Sequence, residues 1–254
     1  MTRRRLARWR VERCTGPAAV LLDPWPPVES QDHPIVRASR VSGGGALVLG
    51  STQDRAVVDE EHAAASGIDV VRRPTGGGAV LVAPGAQVWL DLWVPRRHAL
   101  WDDDIVRAAT WLGDVWVEAL EGLGVGSLRV HRGPATRRPW SDLVCFAGLG
   151  PGEVHLAGPQ GAGPEASGPK VTGIAQRRTR AGARFHTSAP LAWDPGPLLR
   201  LLTEAVDVVD DDDRRRSVGN AAVGLRALVP PWRTGVADDD VVAAVEDAVV
   251  DALP

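Results

Sequence analysis

The sequence predicts an α+β fold, a single domain in which helices flank a mixed, mostly antiparallel sheet. Strand-like segments come in runs, with helices between only some of them. One helical pattern, at residues 102–123, is long and clear. With 254 residues, 44% of them hydrophobic, the chain can bury one large core. We place the main domain at residues 1–195, with its core at about 40–195, and a small helical extension of the same domain at 196–254.

Strands are predicted where short apolar or alternating segments are bounded by turn residues. In chain order they are an edge strand within 1–36, then 46–50, 68–71, 79–82, 87–94, two strands within 127–147, 170–176 and 185–193. Pro84-Gly85 joins 79–82 to 87–94, which predicts a hairpin. Both faces of 87–94 carry apolar side chains, so we expect both faces to be covered.

Helices are predicted from apolar residues at a spacing of three or four and from capping residues. Residues 102–123 begin with three aspartates, which the helix dipole favours, and Gly124 can end this helix. A helix at 53–65 has Ser51 or Thr52 as its N-cap. Further helices are expected near 196–208 and at 238–252. Two surface loops are expected, at 159–169 and at the charged run 210–216.

Composition narrows the class of protein. A net charge of −3 gives no electrostatic case for binding nucleic acid or a membrane surface. Cys14 and Cys145 are too few for a disulfide framework, which favours a reducing compartment. No apolar run approaches the roughly 18 residues of a membrane span, and we recognise no signal peptide. We therefore expect a cytoplasmic protein, and we assign no metal-binding residues.

The first chemical motif is Arg72-Arg73-Pro-Thr-Gly76-Gly77-Gly78, which follows a predicted strand. Glycines lack Cβ atoms, so their backbone amides can approach a ligand closely. Flanked by two guanidinium groups, such amides suit a phosphate or carboxylate. The run is neither a P-loop nor a dinucleotide-binding fingerprint. A plain glycine turn with surface arginines is the alternative.

The second motif contains the only lysine among 29 basic residues, Lys170. Lysine is a compact point charge on a slim stem, whereas arginine is a wide planar fork. A position that keeps lysine in so arginine-rich a chain indicates a tight anionic site, although chance retention is the alternative. His186 follows in Arg-Phe-His186-Thr-Ser, and a lone histidine is more often structural than catalytic.

Taken together, these motifs resemble the catalytic domain shared by lipoate–protein ligases, octanoyltransferases and biotin–protein ligases. The matching residues are Arg72-Arg73-x-x-Gly-Gly-Gly-x-Val, then Lys170-Val-Thr-Gly-x-Ala-Gln-Arg-Arg, then His186. The resemblance spans roughly residues 40–195, and the lysine run is closer to the lipoate branch. It implies the biotin/lipoate-ligase-like fold.

For a ligase, the resemblance implies that ATP with magnesium activates lipoic or octanoic acid as an acyl-adenylate. The acyl group then passes to a lysine of a lipoyl carrier domain, of the glycine cleavage H protein or 2-oxoacid dehydrogenase E2 type. Lys170 would be catalytic and hold the phosphate or carbonyl oxygen of the intermediate. The substrate-binding residues it implies are Arg72, Arg73, Gly76, Gly77, Gly78, Gly173, Gln176 and His186. Val80, Trp89 and Trp93 are candidates for the acyl slot by strand alternation.

Cys145 opens a second mechanism. Cys145-Phe146, followed by Glu153 and the lysine motif, is similar to octanoyltransferases that use a cysteine nucleophile. Such enzymes need no cofactor, because they take the acyl group from an acyl carrier protein thioester. Cys145 as catalytic nucleophile and Cys145 as a buried structural cysteine both stay open.

The chain also departs from the family pattern. Where the ligases carry an aromatic residue and then His-Asp, this chain has Leu81-Val82-Ala83-Pro84. His186 is followed by Thr187-Ser188 without the usual glycine. These departures leave open a third interpretation beside the ligase and the transferase, namely a divergent member of the family that binds an acyl or adenylate ligand without turnover.

Overall fold

The computed structural model describes residues 9–23, 25–26, 32–158, 167–203, 211–229 and 235–254. Its strands are β1 Arg10–Gly16, β2 Ile35–Val41, β3 Ala46–Leu49, β4 Asp69–Arg72, β5 Val80–Val82, β6 Gln87–Pro95, β7 Leu128–Val130, β8 Val154–Ala157, β9 Ser167–Arg178 and β10 Gly182–Pro190. Its helices are α1 Ala18–Leu22, α2 Glu60–Ala65, α3 Ile105–Gly122, α4 Gly196–Arg200, α5 Asp211–Ala221, α6 Leu225–Leu228 and α7 Asp238–Ala252.

The strands form two sheets. The larger has seven strands in the order β1-β2-β6-β10-β9-β8-β7, and the smaller has the order β4-β3-β5. Only the pairs β1–β2 and β3–β4 are parallel among the strands described. The predicted α+β class with a mixed, mostly antiparallel sheet is therefore confirmed, and β1 is the predicted edge strand.

Strand β6 lies at the centre of the molecule, and all nine of its residues are buried. Its Val88 and Leu90 face the main core, which contains Leu112 of α3 and Val245 of α7. On its other face, Trp89 packs in a separate cluster with Val48 of β3 and Val82 of β5. Both faces of this strand are covered, as its apolar pattern predicts.

The smaller sheet is also packed on two sides. Leu47 and Leu49 of β3 turn away from β6 and pack with Leu198 of α4 and Val218 of α5. On the opposite face of β3, Val48 packs with Trp89 of β6. The space between the two sheets is therefore enclosed by elements distant in sequence, and it contains the candidate site.

The predicted hairpin between 79–82 and 87–94 is wrong. β5 pairs with β3 in the smaller sheet, whereas β6 takes β2 and β10 as its neighbours. The corner between them is fixed by Gln87, whose side-chain amide bonds both the N–H and the carbonyl of Ala83. The turn therefore carries the chain from one sheet to the other.

The predicted helix at 53–65 is shorter than expected. The α-helix begins only at Glu60, because the Asp59 carboxylate caps it by accepting from the His62 amide at 2.8 Å. Asp54 caps a separate 3₁₀ turn at Arg55–Val57. The Gln53 side chain is engaged elsewhere, accepting from the Gly50 amide at 2.9 Å.

Three other expectations need correction. The second strand expected within 127–147 is a 3₁₀ turn, Cys145–Ala147, whereas β8 was not predicted. The charged run near 210–216 begins α5, where Val218 anchors the helix in the core. The helix expected near 196–208 ends at Arg200.

The remaining expectations concern the loop and the ends of the chain. Positions 159–166 of the predicted loop and 204–210 lie outside the described residues. Helix α7 packs on α3 and β6, so the C-terminal segment shares the main core, and its division from the main domain at residue 195 stays a prediction. Within the described ranges, no helix combines the length and apolarity that a bilayer crossing requires.

Candidate active site

A narrow pocket of about 70 Å³ lies between the two sheets. Most of its wall is apolar. The lining residues are Leu22, Val48, Arg73, Val80, Val82, Trp89, Cys145, Phe146, Gly173, Ile174, Ala175, His186, Thr187 and Ser188. The predicted slot residues Val80 and Trp89 are among them, whereas Trp93 lines a neighbouring cleft. Such a slot suits a hydrocarbon chain with a reactive group at one end.

The glycine motif positions Cys145. The Cys145 amide donates to the Ala79 carbonyl at 3.0 Å, and the Ala79 amide donates to the Leu143 carbonyl at 2.8 Å. A Cβ on Gly78 would lie 2.6 Å from the Val144 carbonyl carbon, so only glycine permits this close approach. The three-glycine run is thus a packing surface for the turn that carries the thiol.

Gly77 places a positive charge near that thiol. Its φ of +95° favours glycine, and an ideal Cβ built there would lie 2.9 Å from Arg73 Nη2 and 3.7 Å from Cys145 Sγ. The Arg73 guanidinium and the Cys145 sulfur therefore both lie beside Gly77.

Both arginines of the motif bond backbone carbonyls, Arg73 within the glycine loop and Arg72 in the segment that follows β3. Arg73 Nη2 donates to the carbonyls of Gly76 and Gly78 at 2.7 and 2.9 Å. Arg72 Nη1 donates to the carbonyls of Gly50 and Gln53. Arg73 still lines the narrow pocket, but the three motif glycines do not, in contrast to the predicted role of their amides. Gly77 and Gly78 face the Cys145 turn, whereas a Cβ on Gly76 would meet nothing within 4 Å.

Lys170 is buried, with only 1% of its surface exposed. Its ammonium donates to Glu153 Oε1 at 2.7 Å, to the Cys145 carbonyl at 2.9 Å and to the Gly148 carbonyl at 3.3 Å. An ammonium has three donors, so all of them are used. The Lys170 ammonium also lies 4.9 Å from the centroid of the Phe146 ring, and Lys170 is not among the residues that line the pocket, where a group that binds the intermediate would be expected.

The partner carboxylate ties three segments together. Glu153 Oε1 also accepts from the Ile174 amide of β9 at 3.1 Å, and Oε2 accepts from the Gly150 amide at 2.6 Å. Every oxygen of this buried carboxylate is therefore hydrogen-bonded. The Lys170–Glu153 pair braces the Cys145 turn against β9.

His186 and Asp91 form a second buried pair across neighbouring strands, since β6 and β10 place them directly opposite each other. His186 Nδ1 lies 2.5 Å from Asp91 Oδ1, and the other oxygen accepts from Arg37 and Arg184 at 3.0 and 3.1 Å. The His186 ring lines the pocket. Its Nε2 is buried and has no hydrogen-bond partner within the described part of the chain.

The charges of this pair are set by burial and by the arginines. Burial lowers the pKa of His186, and Asp91 offsets this effect only in part. Burial would raise the pKa of Asp91, but His186, Arg184 and Arg37 outweigh it and hold that pKa well below its usual range. At neutral pH the pair is therefore a carboxylate and a neutral imidazole.

A wider cleft of about 810 Å³ adjoins the narrow pocket, and Leu22 and Arg73 line both. Arg72, Arg177 and Arg184 add three more guanidinium groups to its wall. A cleft with four arginines fits an anionic ligand such as a phosphate chain. Its residues therefore suit a nucleotide, and they suit the phosphate of a carrier-bound acyl donor equally well.

The structure places five of the ten predicted site residues in the wall of the pocket or of the cleft. Arg73, Gly173, Cys145 and His186 line the narrow pocket, and Arg72 lines the wider cleft. Gln176 does not line the pocket or the cleft, and its Nε2 donates to the Ile105 carbonyl at 2.7 Å.

Sequence reasoning missed Asp91, Arg37 and Arg184, and it did not pair Glu153 with Lys170. One signal was available, since Asp91 is the only charged residue in β6, where every other residue except Gln87 is apolar. A lone carboxylate in a strand covered on both faces requires buried partners. Nothing in the sequence identified those partners.

A family model described as the lipoyl protein ligase A/B catalytic domain matches residues 28–250. Among solved structures, a bipartite lipoate protein ligase from Thermoplasma acidophilum has 18% identity and a TM-score of 0.65, covering 97% of this chain and 84% of that chain. Lipoate-protein ligase A bound with ATP has 20% identity and a TM-score of 0.63, covering 96% and 85%. LipL1 of P. falciparum in complex with lipoate has 12% identity and a TM-score of 0.59, covering 96% and 62%.

Comparison with curated proteins finds no match. At these identities the structural likenesses establish the fold alone, and the match of the family model extends over most of the sequence. The chain belongs to the lipoyl protein ligase A/B catalytic domain family.

Proposed function

We propose that this protein transfers a lipoyl or octanoyl group to a lysine of a carrier domain, through a thioester on Cys145. The observation that supports the proposal is the position of Cys145, which lines a narrow apolar pocket together with Arg73 and His186. A thiol at the wall of an apolar slot can receive the acyl group of a bound chain.

The described residues support separate roles in such a transfer. Val80, Val82 and Trp89 would hold the hydrocarbon chain. Arg73 would stabilise the negative charge that develops near the sulfur. The wider cleft would receive the phosphate-bearing arm of an acyl carrier protein on the donor side.

The acceptor would be a lipoyl carrier domain of the glycine cleavage H protein or 2-oxoacid dehydrogenase E2 type. One structural neighbour, from Thermoplasma acidophilum, was studied together with its E2 lipoyl domain. The net charge of −3 gives no reason to expect a nucleic acid partner.

An ATP-dependent ligase is the second candidate, and the arginine-lined cleft favours it. Arg72 and Arg177 would bind phosphates there, and bound ATP with magnesium would activate the carboxylate of a free acid. A lipoate-protein ligase of similar fold was solved with ATP. In this mechanism Cys145 would be dispensable.

Mass spectrometry of the acceptor separates the two functions. The protein and a lipoyl carrier domain are mixed with octanoyl carrier thioester without ATP, and in parallel with octanoic or lipoic acid plus ATP. We expect a mass gain with the thioester, lost in Cys145→Ala and kept in Cys14→Ala. Cys14 lies on the edge strand β1 and serves as the matched control.

Each other outcome contradicts the proposal. A gain only with free acid and ATP, unchanged in Cys145→Ala, would establish the ligase. Binding of octanoate without any acylated carrier would favour a member of the family that binds an acyl ligand without turnover.

A further inference from the structure

The narrow pocket contains a proton acceptor that the motif comparison did not assign to catalysis. His186 is 8% exposed and lines the same pocket as Cys145. Its Nε2 has no partner among the residues that the structure describes. A buried, unpaired ring nitrogen in an apolar wall costs stability unless a ligand or a reaction uses it.

Asp91 determines which ring nitrogen is free. The Asp91 carboxylate lies 2.5 Å from Nδ1, and a carboxylate can only accept a hydrogen bond. Nδ1 therefore carries the proton of the neutral imidazole, which leaves Nε2 as the basic nitrogen at the pocket. Arg37 and Arg184 hold Asp91 ionised and in place.

Lys170 is poorly placed for the same task. Its ammonium donates to Glu153 and two carbonyls, and Lys170 does not line the pocket. A proton acceptor must reach the proton that it abstracts, directly or through one water. The contact between Lys170 and Cys145 is made to the carbonyl of Cys145 and not to its sulfur.

We propose that His186 Nε2 takes the proton of the Cys145 thiol, directly or through one water, and that Asp91 is the positioning residue that holds the imidazole in the required tautomer. The proposal rests on the proposed thioester mechanism.

The steps balance without any further reagent. The S–H bond breaks, its proton moves to Nε2, and the thiolate attacks the donor thioester carbonyl. The donor C–S bond breaks, and the donor thiolate leaves with the proton from the imidazolium. The acceptor amine then attacks the acyl-cysteine, gives a proton to Nε2, and Cys145 recovers that proton as it leaves.

Several charges near His186 affect its protonation. Asp91 on β6 favours the imidazolium, whereas Arg184 on β10 and Arg73 on the glycine loop disfavour it. Arg37 on β2 acts through Asp91. Burial is the largest of these effects and also disfavours the imidazolium, so His186 is neutral and able to accept a proton before the reaction.

The test measures the reactivity of the Cys145 thiol in the absence of any acyl donor. Iodoacetamide alkylation of the purified protein is followed by peptide mass spectrometry between pH 5.5 and 9. We expect Cys145 to react at pH 6.5 faster than Cys14 in the same sample, by on the order of 100-fold, the size of a general-base effect. If both cysteines follow the same pH profile, the proposal is wrong.

Variants then identify the base. His186→Gln should remove the advantage of Cys145 and shift its alkylation toward the alkaline profile of an ordinary thiol. Asp91→Asn should shift the profile in the same direction but by less, because the imidazole is still present although it is no longer held in one tautomer. His98→Gln is the control variant. Burial also lowers the pKa of His98, but this residue does not line the pocket, so its replacement should leave the alkylation profile of Cys145 unchanged. A folded His186→Gln protein with an unchanged Cys145 profile would overturn the inference.

Failure of this inference is distinct from failure of the proposed function. If Cys145→Ala abolishes acyl transfer while His186→Gln leaves alkylation unchanged, the thioester mechanism stands and the base is another group. If alkylation depends on His186 but no acyl transfer is found, the activated thiol stands and its substrate differs.

Discussion

At the scale of single residues, the only lysine occupies the kind of site that its size and charge predict. Its compact charge does occupy a tight anionic site, as the contrast with arginine predicts. The anion is Glu153, with two carbonyls completing the site. A planar guanidinium could not place its donors on these three acceptors from the same stem. The assigned catalytic role of Lys170 stays a prediction.

Lys170→Met should destabilise the fold by about 3–5 kcal/mol, because it leaves a buried carboxylate without its counter-charge. Urea unfolding measures this change. The double variant Lys170→Met with Glu153→Gln should recover part of the loss. Arg55→Met breaks an exposed pair with Glu60 and should have little effect. An equally small effect at Lys170 would show that the buried pair contributes little.

At the scale of elements, the glycine loop and the Cys145 turn form one unit. Their backbones pair through Ala79 and Cys145, and the missing Cβ of Gly78 allows that contact. The motif therefore has a structural reason that is independent of any ligand. Arg73 bonds the same loop from the other side.

Gly78→Ala and Gly76→Ala provide a matched comparison within this loop. A Cβ at Gly78 would meet the backbone of Val144 and Cys145 at 2.6 and 2.7 Å, whereas a Cβ at Gly76 would meet nothing within 4 Å. We expect Gly78→Ala to lower the free energy of unfolding by about 1–3 kcal/mol, and Gly76→Ala to leave it nearly unchanged. Urea titrations test this directly, and equal effects at both positions would contradict the packing role.

At the scale of the whole molecule, buried histidines couple stability to pH. Burial lowers the pKa values of His98, His155 and His186, which lie in three different parts of the fold. Each of them binds a proton more readily in the unfolded chain. Their contribution to stability is complete above the unfolded pKa of about 6.5 and decreases as the pH falls toward the folded values.

The free energy of unfolding should therefore decrease between pH 7 and pH 5. Replacing His98 or His155 by Gln should make this decrease smaller, because fewer protons are taken up on unfolding. His33→Gln, at an exposed position, should leave the slope unchanged. Urea titrations at a series of pH values provide the measurement. A wild-type slope of zero across this range would disprove the coupling.

The sequence alone determined the fold class and the family, and its assignment of site residues stays a prediction. These follow from local patterns, since apolar alternation marks β6, capping aspartates mark α3, and the arginine–glycine and lysine runs mark the family. It did not determine strand partners, and so it predicted a hairpin at Pro84-Gly85 where the chain changes sheet.

The tertiary structure decided which side chains face the pocket and which face each other. The pairing of β6 with β10 places Asp91 opposite His186, and the packing of β9 against the Cys145 turn joins Lys170 to Glu153. These pairs depend on strand register and on the approach of the two sheets. Both are non-local properties, because a shift of one residue in a strand turns every side chain to the other face.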